Sequence, residues 1–269
     1  MSLATRPFRA EDIDAASRLL SERHARDRLR EPRLPRRYED SARCRTLIET
    51  LPNAEGVVAE RDGRMAGYLL AECTPPALQD RRAFLPLEGH AIGADEDGET
   101  YRRMYAGLAP ALVRRGLFDH QVLMPADDET AVEAWFSLCF GEMLHVASRA
   151  LSPVDANDGS FEIRPCGVRD VDAAAALLLD LEWFHARPPV FRPTMATIES
   201  SRAEIAGDID SADSIVLLAY RDSRPLGLFF ARRPRSMPIG RFDKTLAVLE
   251  VYVAPEARAG GVGTAMLAR

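Results

Sequence analysis

The sequence predicts a mixed α/β architecture made twice over, and three observations carry that prediction. One pattern of residues recurs in the same order along the 269-residue chain. Each copy places a helical apolar stripe ahead of an antiparallel hairpin, the alternation of periods expected when helices pack on a sheet. The second copy then closes with a β-rich run that enters a glycine-rich turn and a helix.

The repeat can be read directly. Arg6-Pro7, Asp12-Ile13-Asp14-Ala15-Ala16 and Leu19-Leu20 return 158 residues later as Arg164-Pro165, Asp170-Val171-Asp172-Ala173-Ala174 and Leu177-Leu178. His24-Ala25-Arg26 returns as His185-Ala186-Arg187, and Arg61-Asp62-Gly63-Arg64 as Arg221-Asp222-Ser223-Arg224. Between the copies, residues 152–160 are polar and carry Pro153 and Gly159, as a linker should. The expected domains are therefore 1–151 and 161–269.

Each copy opens with a short strand into Arg-Pro. A helix follows, with Ile13, Ala16, Leu19 and Leu20 forming its stripe in the first copy and Val171, Ala174, Leu177 and Leu178 in the second. Asp12 and Asp170 stand at the helix starts, where a carboxylate can accept orphan amide protons. After a second helical segment, hairpins are predicted around Asp62-Gly63 and Asp222-Ser223, flanked by the runs 57–59 and 68–71, and 215–219 and 228–231. In the first copy a helix over 100–115, a strand over 121–124 and a further helix running into 134–141 are expected next.

Composition narrows the function classes. With 46% hydrophobic and 28% charged residues the chain reads as globular, and a formal net charge of −6 argues against a nucleic-acid surface, which needs a basic stripe. Lys244 is the single lysine. Cys44, Cys73, Cys139 and Cys166 form no C-x-x-C pair and sit in or beside apolar stretches, so free, buried thiols are expected and no metal framework. No apolar run approaches the roughly 20 residues that span a bilayer, and no signal-peptide core opens the chain, which points to a cytoplasmic protein without a membrane partner.

The segment most committed to chemistry is 246–267. Val248, Val251, Tyr252 and Val253 mark a strand. It gives way at Pro255 to Arg258-Ala259-Gly260-Gly261-Val262-Gly263-Thr264 and a helix. Such a turn aims several backbone N–H groups at one anion, and the helix start adds roughly half a positive charge. Glycines keep side chains out of the way, so a diphosphate is the natural ligand. The turn lacks the lysine of a Walker loop, and a dinucleotide fingerprint would need an acidic residue about 20 positions further on.

Arg258-x-x-Gly261-x-Gly263, after a strand closing in Tyr-Val-x-Pro-Glu, resembles the pyrophosphate loop of the GNAT superfamily of acetyl-CoA-dependent N-acetyltransferases. With the element order ahead of it, the resemblance extends over nearly the whole chain as two tandem GNAT-like domains. It implies that backbone groups of Val251 and Val253 bind the pantetheine arm, and that amides of Arg258, Ala259, Gly260, Gly261, Val262, Gly263 and Thr264 hold the pyrophosphate of acetyl-CoA (coenzyme A). It implies direct attack by an amine near Glu250, a candidate base, and Tyr252. Glu250 could equally serve only to pair with an arginine. The stretch 185–193 resembles the loop between the family's first two helices, so His185 and Phe191 are candidate acceptor contacts. The acceptor is a small-molecule or peptide amine. A non-catalytic acyl-CoA sensor or scaffold is the competing reading.

The copies differ. At the matching position the first copy has Gly93-Ala94-Asp95-Glu96-Asp97-Gly98-Glu99, whose four carboxylates repel a pyrophosphate. It is expected to be degenerate, and Trp135 and Phe136 stand where the family often has an acidic tyrosine. The second copy reaches Arg269 inside the helix after its glycine loop; the next strand, helix and closing hairpin of such a domain are expected beyond it.

Overall fold

Asp62 and Gly63 take left-handed backbone, with φ of 55° and 76°, and so do Asp222 and Ser223, at 49° and 65°. A two-residue turn of this kind matches the right-handed twist of the strands it joins, and it closes the central hairpin of each half of the chain. The computed structural model describes residues 3–75, 81–149, 152–154, 161–188, 194–234 and 237–269. It divides into two units, Met1–Ala147 with Ser236–Asp243, and Ser148–Arg235 with Lys244–Arg269.

The first unit runs β1 (Ala4–Pro7), α1 (Ile13–Arg30), α2 (Ser41–Glu49), β2 (Glu55–Arg61), β3 (Arg64–Cys73), β4 (Arg82–Leu85), β5 (His90–Ile92), α3 (Gly98–Arg114), β6 (Asp119–Val122) and α4 (Glu129–Ser137). Its sheet has the order β1-β2-β3-β4-β6, with β5 also paired to β3. Only the β4–β6 contact is parallel. Both faces are covered. Leu69, Met104, Leu108, Leu112 and Trp135 pack on the side of α3 and α4, and Ala16, Leu20, Ile48, Tyr68 and Leu70 on the side of α1 and α2.

The second unit runs β7 (Glu162–Pro165), α5 (Val171–His185), α6 (Ile198–Asp208), β8 (Ser214–Arg221), β9 (Arg224–Arg232), β10 (Ala247–Val253) and α7 (Val262–Ala268). Its described strands form an antiparallel sheet in the order β10-β9-β8-β7. Leu177, Leu178, Leu181 and Ile205 from α5 and α6 cover Leu218, Leu228 and Phe230 on one face. Val262 and Met266 from α7 cover Leu217 and Phe229 on the other. Among the described residues no helix is long and apolar enough to cross a membrane.

The repeated residues do the same work in both units. Arg6 grips Asp12 through two bonds of 2.7 and 2.8 Å, and Arg164 grips Asp170 through two of 2.6 and 2.7 Å. The same aspartates accept a backbone N–H, from Arg9 and from Gly167, which fixes the entry to α1 and α5. A register break falls after Ala59 in one hairpin and after Ala219 in the other. At Gly67 an added Cβ would lie 3.0 Å from Cε of Met104, and at Gly227 it would lie 3.0 Å from Cε of Met266.

Several expectations need correction. His185 is the last residue of α5 rather than the start of a loop, because the apolar stripe continues through Leu181 before Pro188 stops it. The strand expected at 121–124 is paired over Asp119–Val122, with Asp119 and His120 held opposite Arg82 and Ala83. All four thiols are free, but Cys139 is exposed, carried outward by a left-handed residue just past α4. Residues 237–243 lie among the first unit's residues. Ile239, 2% exposed, belongs to the buried cluster that holds Leu20, Tyr38 and Tyr68, and Asp243 pairs with Arg37 at 2.7 Å.

Candidate functional site

The second unit's site begins at a sheet edge. β10 is bonded to β9 on one side, and among the described strands none pairs with its other side. Ala254 N–H donates to the Leu226 carbonyl at 2.8 Å, so Ala254 faces β9. In an antiparallel pair, inward and outward backbone groups alternate, which turns the N–H and C=O of Val253 and Val251 outward from the sheet. The two residues named for pantetheine contact thus present their backbones along the edge. A register break between Val248 and Glu250 re-aims the strand just before them.

Side chains follow the same alternation. Tyr252 is buried in the core under α5, and Glu250, two residues earlier, is half-buried on that face. Val253 joins the opposite face, under α7.

A single 3-10 turn, Pro255–Ala257, leads into the glycine loop. Ala259 (φ 61°) and Gly261 (φ 80°) are left-handed. Such a backbone costs an alanine about 1 kcal/mol, and glycine nothing. The first intrahelical bond of α7 runs from Ala265 N–H to Gly261 C=O at 2.9 Å. The amides of Val262, Gly263 and Thr264 precede it and have no helical acceptor. Around Gly263 there is room, the nearest atom to an added Cβ being Val253 Cγ2 at 3.7 Å. Val262 and Met266, each 1% exposed, pin α7 to β9 and hold the loop at the end of β10.

Arg258 folds back over this end. Its Nε donates to the outward carbonyl of Val253 at 3.0 Å. Its guanidinium carbon lies 5.1 Å from the ring centre of Phe184 and 5.9 Å from that of Tyr252. Burial, with the nearby Asp180 carboxylate, pushes the Tyr252 phenol upward. His185 stands beside Phe184 with its Nδ1 buried and without a partner among the described residues. Phe191 lies outside the described residues. Glu250, Tyr252, Val253 and the loop are therefore contiguous along the chain and in space, and Phe184 joins them from α5. Phe184 was not legible in the sequence, where it is one more apolar residue in a helical run.

A cavity of about 540 Å³ elsewhere in the second unit is lined by Glu162, Arg164, Asp170, Tyr220 and Asp222 among others. Its central polar groups are committed to the Arg164–Asp170 fork, to which Tyr220 donates at 2.9 Å. It does not adjoin the glycine loop.

The first unit treats the matching positions differently. Asp97 caps α3 by accepting from Glu99 N–H at 2.9 Å, so the chain's own carboxylate takes the place of an outside anion. Glu96 is held by Arg61 at 2.9 Å and by Thr100 at 2.6 Å. β4 pairs with β6 but β5 does not, and His90 bridges that divergence: its Nε2 lies 2.8 Å from the Leu123 carbonyl and its Nδ1 3.4 Å from the Tyr101 hydroxyl. Glu88, at the bend before β5, is buried with Oε2 unpartnered among the described residues, and burial raises its carboxyl. Trp135 is a core residue and Phe136 is exposed.

No protein-family model matches this chain, and no curated protein matches it. Solved structures do. A transcriptional regulator from Bacillus halodurans is 18% identical over 56% of this chain and 100% of its own, with a TM-score of 0.41. An aminoglycoside N-acetyltransferase in complex with CoA is 13% identical over 56% of this chain and 95% of its own, at 0.39. An aminoglycoside acetyltransferase from an uncultured soil metagenomic sample, in complex with sisomicin, is 15% identical over 56% and 97%, at 0.41.

Proposed function

We propose that the chain is an N-acetyltransferase of two tandem GNAT-like domains, in which the second carries an acetyl group from acetyl-CoA to a primary amine and the first is degenerate. The observation that carries this reading is the continuity of β10 with the glycine loop. A strand whose outward backbone groups at Val251 and Val253 run into three amides at 262–264 without a helical acceptor fits a ligand with a peptide-like arm and a diphosphate end. No metal is needed for that fit.

In this reading Val251 and Val253 hold the arm, and the amides from Arg258 to Thr264, with the Arg258 guanidinium, hold the diphosphate. Bound there, acetyl-CoA supplies an activated thioester carbonyl. Glu250 accepts the proton that an attacking ammonium must lose, and the register break beside it sets where its carboxylate is presented. The acceptor is a small-molecule or peptide amine. The buried thiols of Cys44, Cys73 and Cys166 suit a reducing, cytoplasmic compartment.

The test is calorimetric titration of coenzyme A into the protein and into Gly263→Asp. The aspartate has space and stands at a helix start, where a carboxylate is tolerated, so the variant keeps its fold while repelling the diphosphate. One site per chain, lost in the variant, supports the reading; equal affinity in both removes the loop from it. Release of free thiol with a panel of amines then separates the transferase from a sensor, which binds without turnover.

A further inference from the structure

The placement of Arg258 points to a site that the loop motif does not assign. We propose that Phe184 and Tyr252 form an aromatic seat for the acceptor's ammonium group, held in this structure by the chain's own Arg258 guanidinium, which a bound diphosphate draws away. The idea rests on the reading above for the identity of the diphosphate ligand.

Three observations carry it. First, both rings already host a cation at the distances of a cation–π contact, 5.1 and 5.9 Å. Their geometry is thus compatible with the positive charge of an amine substrate. Second, the resident cation is replaceable. Arg258 is exposed, and among the described residues its side chain makes one hydrogen bond, to the Val253 carbonyl. It also begins the loop assigned above to the diphosphate, so a diphosphate at 262–264 competes for the same guanidinium with a bond between opposite charges, stronger than one to a neutral carbonyl. Third, the surroundings favour a second cation. Asp180 lies one helical turn before Phe184 on the same face of α5 and acts on Tyr252. Glu256 also acts on Tyr252, though Arg224 is paired to it, and Arg187 opposes them. With Arg258 withdrawn, the two rings offer an alkylammonium their π faces. Phe184, 46% exposed, is the open side by which it enters.

Binding of the two ligands is then coupled through one side chain, and the coupling must be reciprocal. The probe is n-butylammonium, followed by saturation-transfer NMR, with coenzyme A rather than its acetyl ester so that nothing turns over. In the native protein, coenzyme A should tighten n-butylammonium roughly tenfold, the size of one well-formed cation–π contact. Arg258→Ala should bind n-butylammonium without coenzyme A as tightly as the native protein does with it. Phe184→Leu, which keeps the apolar volume but removes the π face, should lose binding in both settings, with a thermal melt confirming its fold. Arg258→Ala binding no better than the native protein, or Phe184→Leu binding equally well, overturns the seat. These two comparisons are made without coenzyme A. Failure of coenzyme A to bind would sink the transferase reading while leaving the seat to stand or fall on them.

Discussion

Gly227 lies under α7 in strand β9, and replacing it with alanine tests how the glycine loop is held. The added Cβ would come 3.0 Å from Met266 Cε, 3.1 Å from the Tyr252 carbonyl oxygen and 3.3 Å from Val262 Cγ1. The methionine tip can swing aside, but the Tyr252 oxygen is backbone of β10 and Val262 anchors the start of α7. Relief must therefore spread strand and helix apart by a few tenths of an ångström. Overpacking of this kind costs about 1–3 kcal/mol. Alanine returns roughly 0.5–1 kcal/mol, because glycine loses more backbone freedom on folding. The net is a destabilisation of about 1 kcal/mol, read as a lower urea midpoint at unchanged slope. Met266→Leu in the same chain removes the Cε contact and should recover part of that loss, a non-additivity expected of touching residues. The sharper readout is coenzyme A affinity, since the two groups that must yield flank the loop. Gly67→Ala supplies the control: Met104 Cε, Ile92 Cγ2 and the Ala91 oxygen all lie at 3.0 Å there. It should cost similar stability and leave coenzyme A binding untouched. If Gly227→Ala is as stable as the native protein, or both variants bind coenzyme A equally, the steric argument is wrong.

Other outcomes follow from groups already described. Burial pushes His90 down to about 3. The unfolded chain therefore takes up its proton near pH 6.5 while the folded one stays neutral, so stability should fall as pH drops between those values. His90→Asn should flatten that limb in a pH series of melts. The Arg164 guanidinium holds the Asp170 carboxyl well below the usual range. Its contribution is present above the unfolded value near pH 4 and is lost as pH falls through the folded one. Asp170→Asn should abolish that lower loss, and a native-like acid limb in the variant would refute it. Burial pushes the Cys44 thiol up to about 12 and the Cys166 thiol up to about 11, whereas Cys139 is exposed. A thiol-reactive dye under native conditions should therefore label one cysteine quickly, and peptide mapping should find it at Cys139.

Much of the fold was legible because it is written in local signals. The hairpin turns announce themselves as Asp62-Gly63 and Asp222-Ser223, and both prove left-handed. The helices follow their apolar spacing, and the recurrence of Arg6 and Asp12 as Arg164 and Asp170 foretold a shared role that the paired forks make explicit. The glycine loop was legible for the same reason, since its backbone requirement selects glycine. What stayed hidden depends on contacts between residues distant in sequence. Nothing around His90 indicates that its ring bridges to Leu123, and nothing around Phe184 distinguishes it from neighbouring core residues. The fold-back of Arg258 onto Val253 depends on a side-chain rotamer, which leaves no periodic trace. Cys139 was misjudged because one left-handed residue after α4 turns an apolar-looking stretch toward solvent.

The position of Ile239 bears on how this chain could be divided by gene or by protease. Its side chain completes the first unit's core, yet it is encoded between two strands of the second, so the polypeptide passes from one unit to the other three times. A gene fragment ending near residue 150 would leave an oily slot beside Leu20 and Tyr68 open to water. Recombination that exchanged the second half for a relative's would have to bring a residue able to refill it. A single cut in the linker severs the backbone yet leaves Ile239 in the first unit's core.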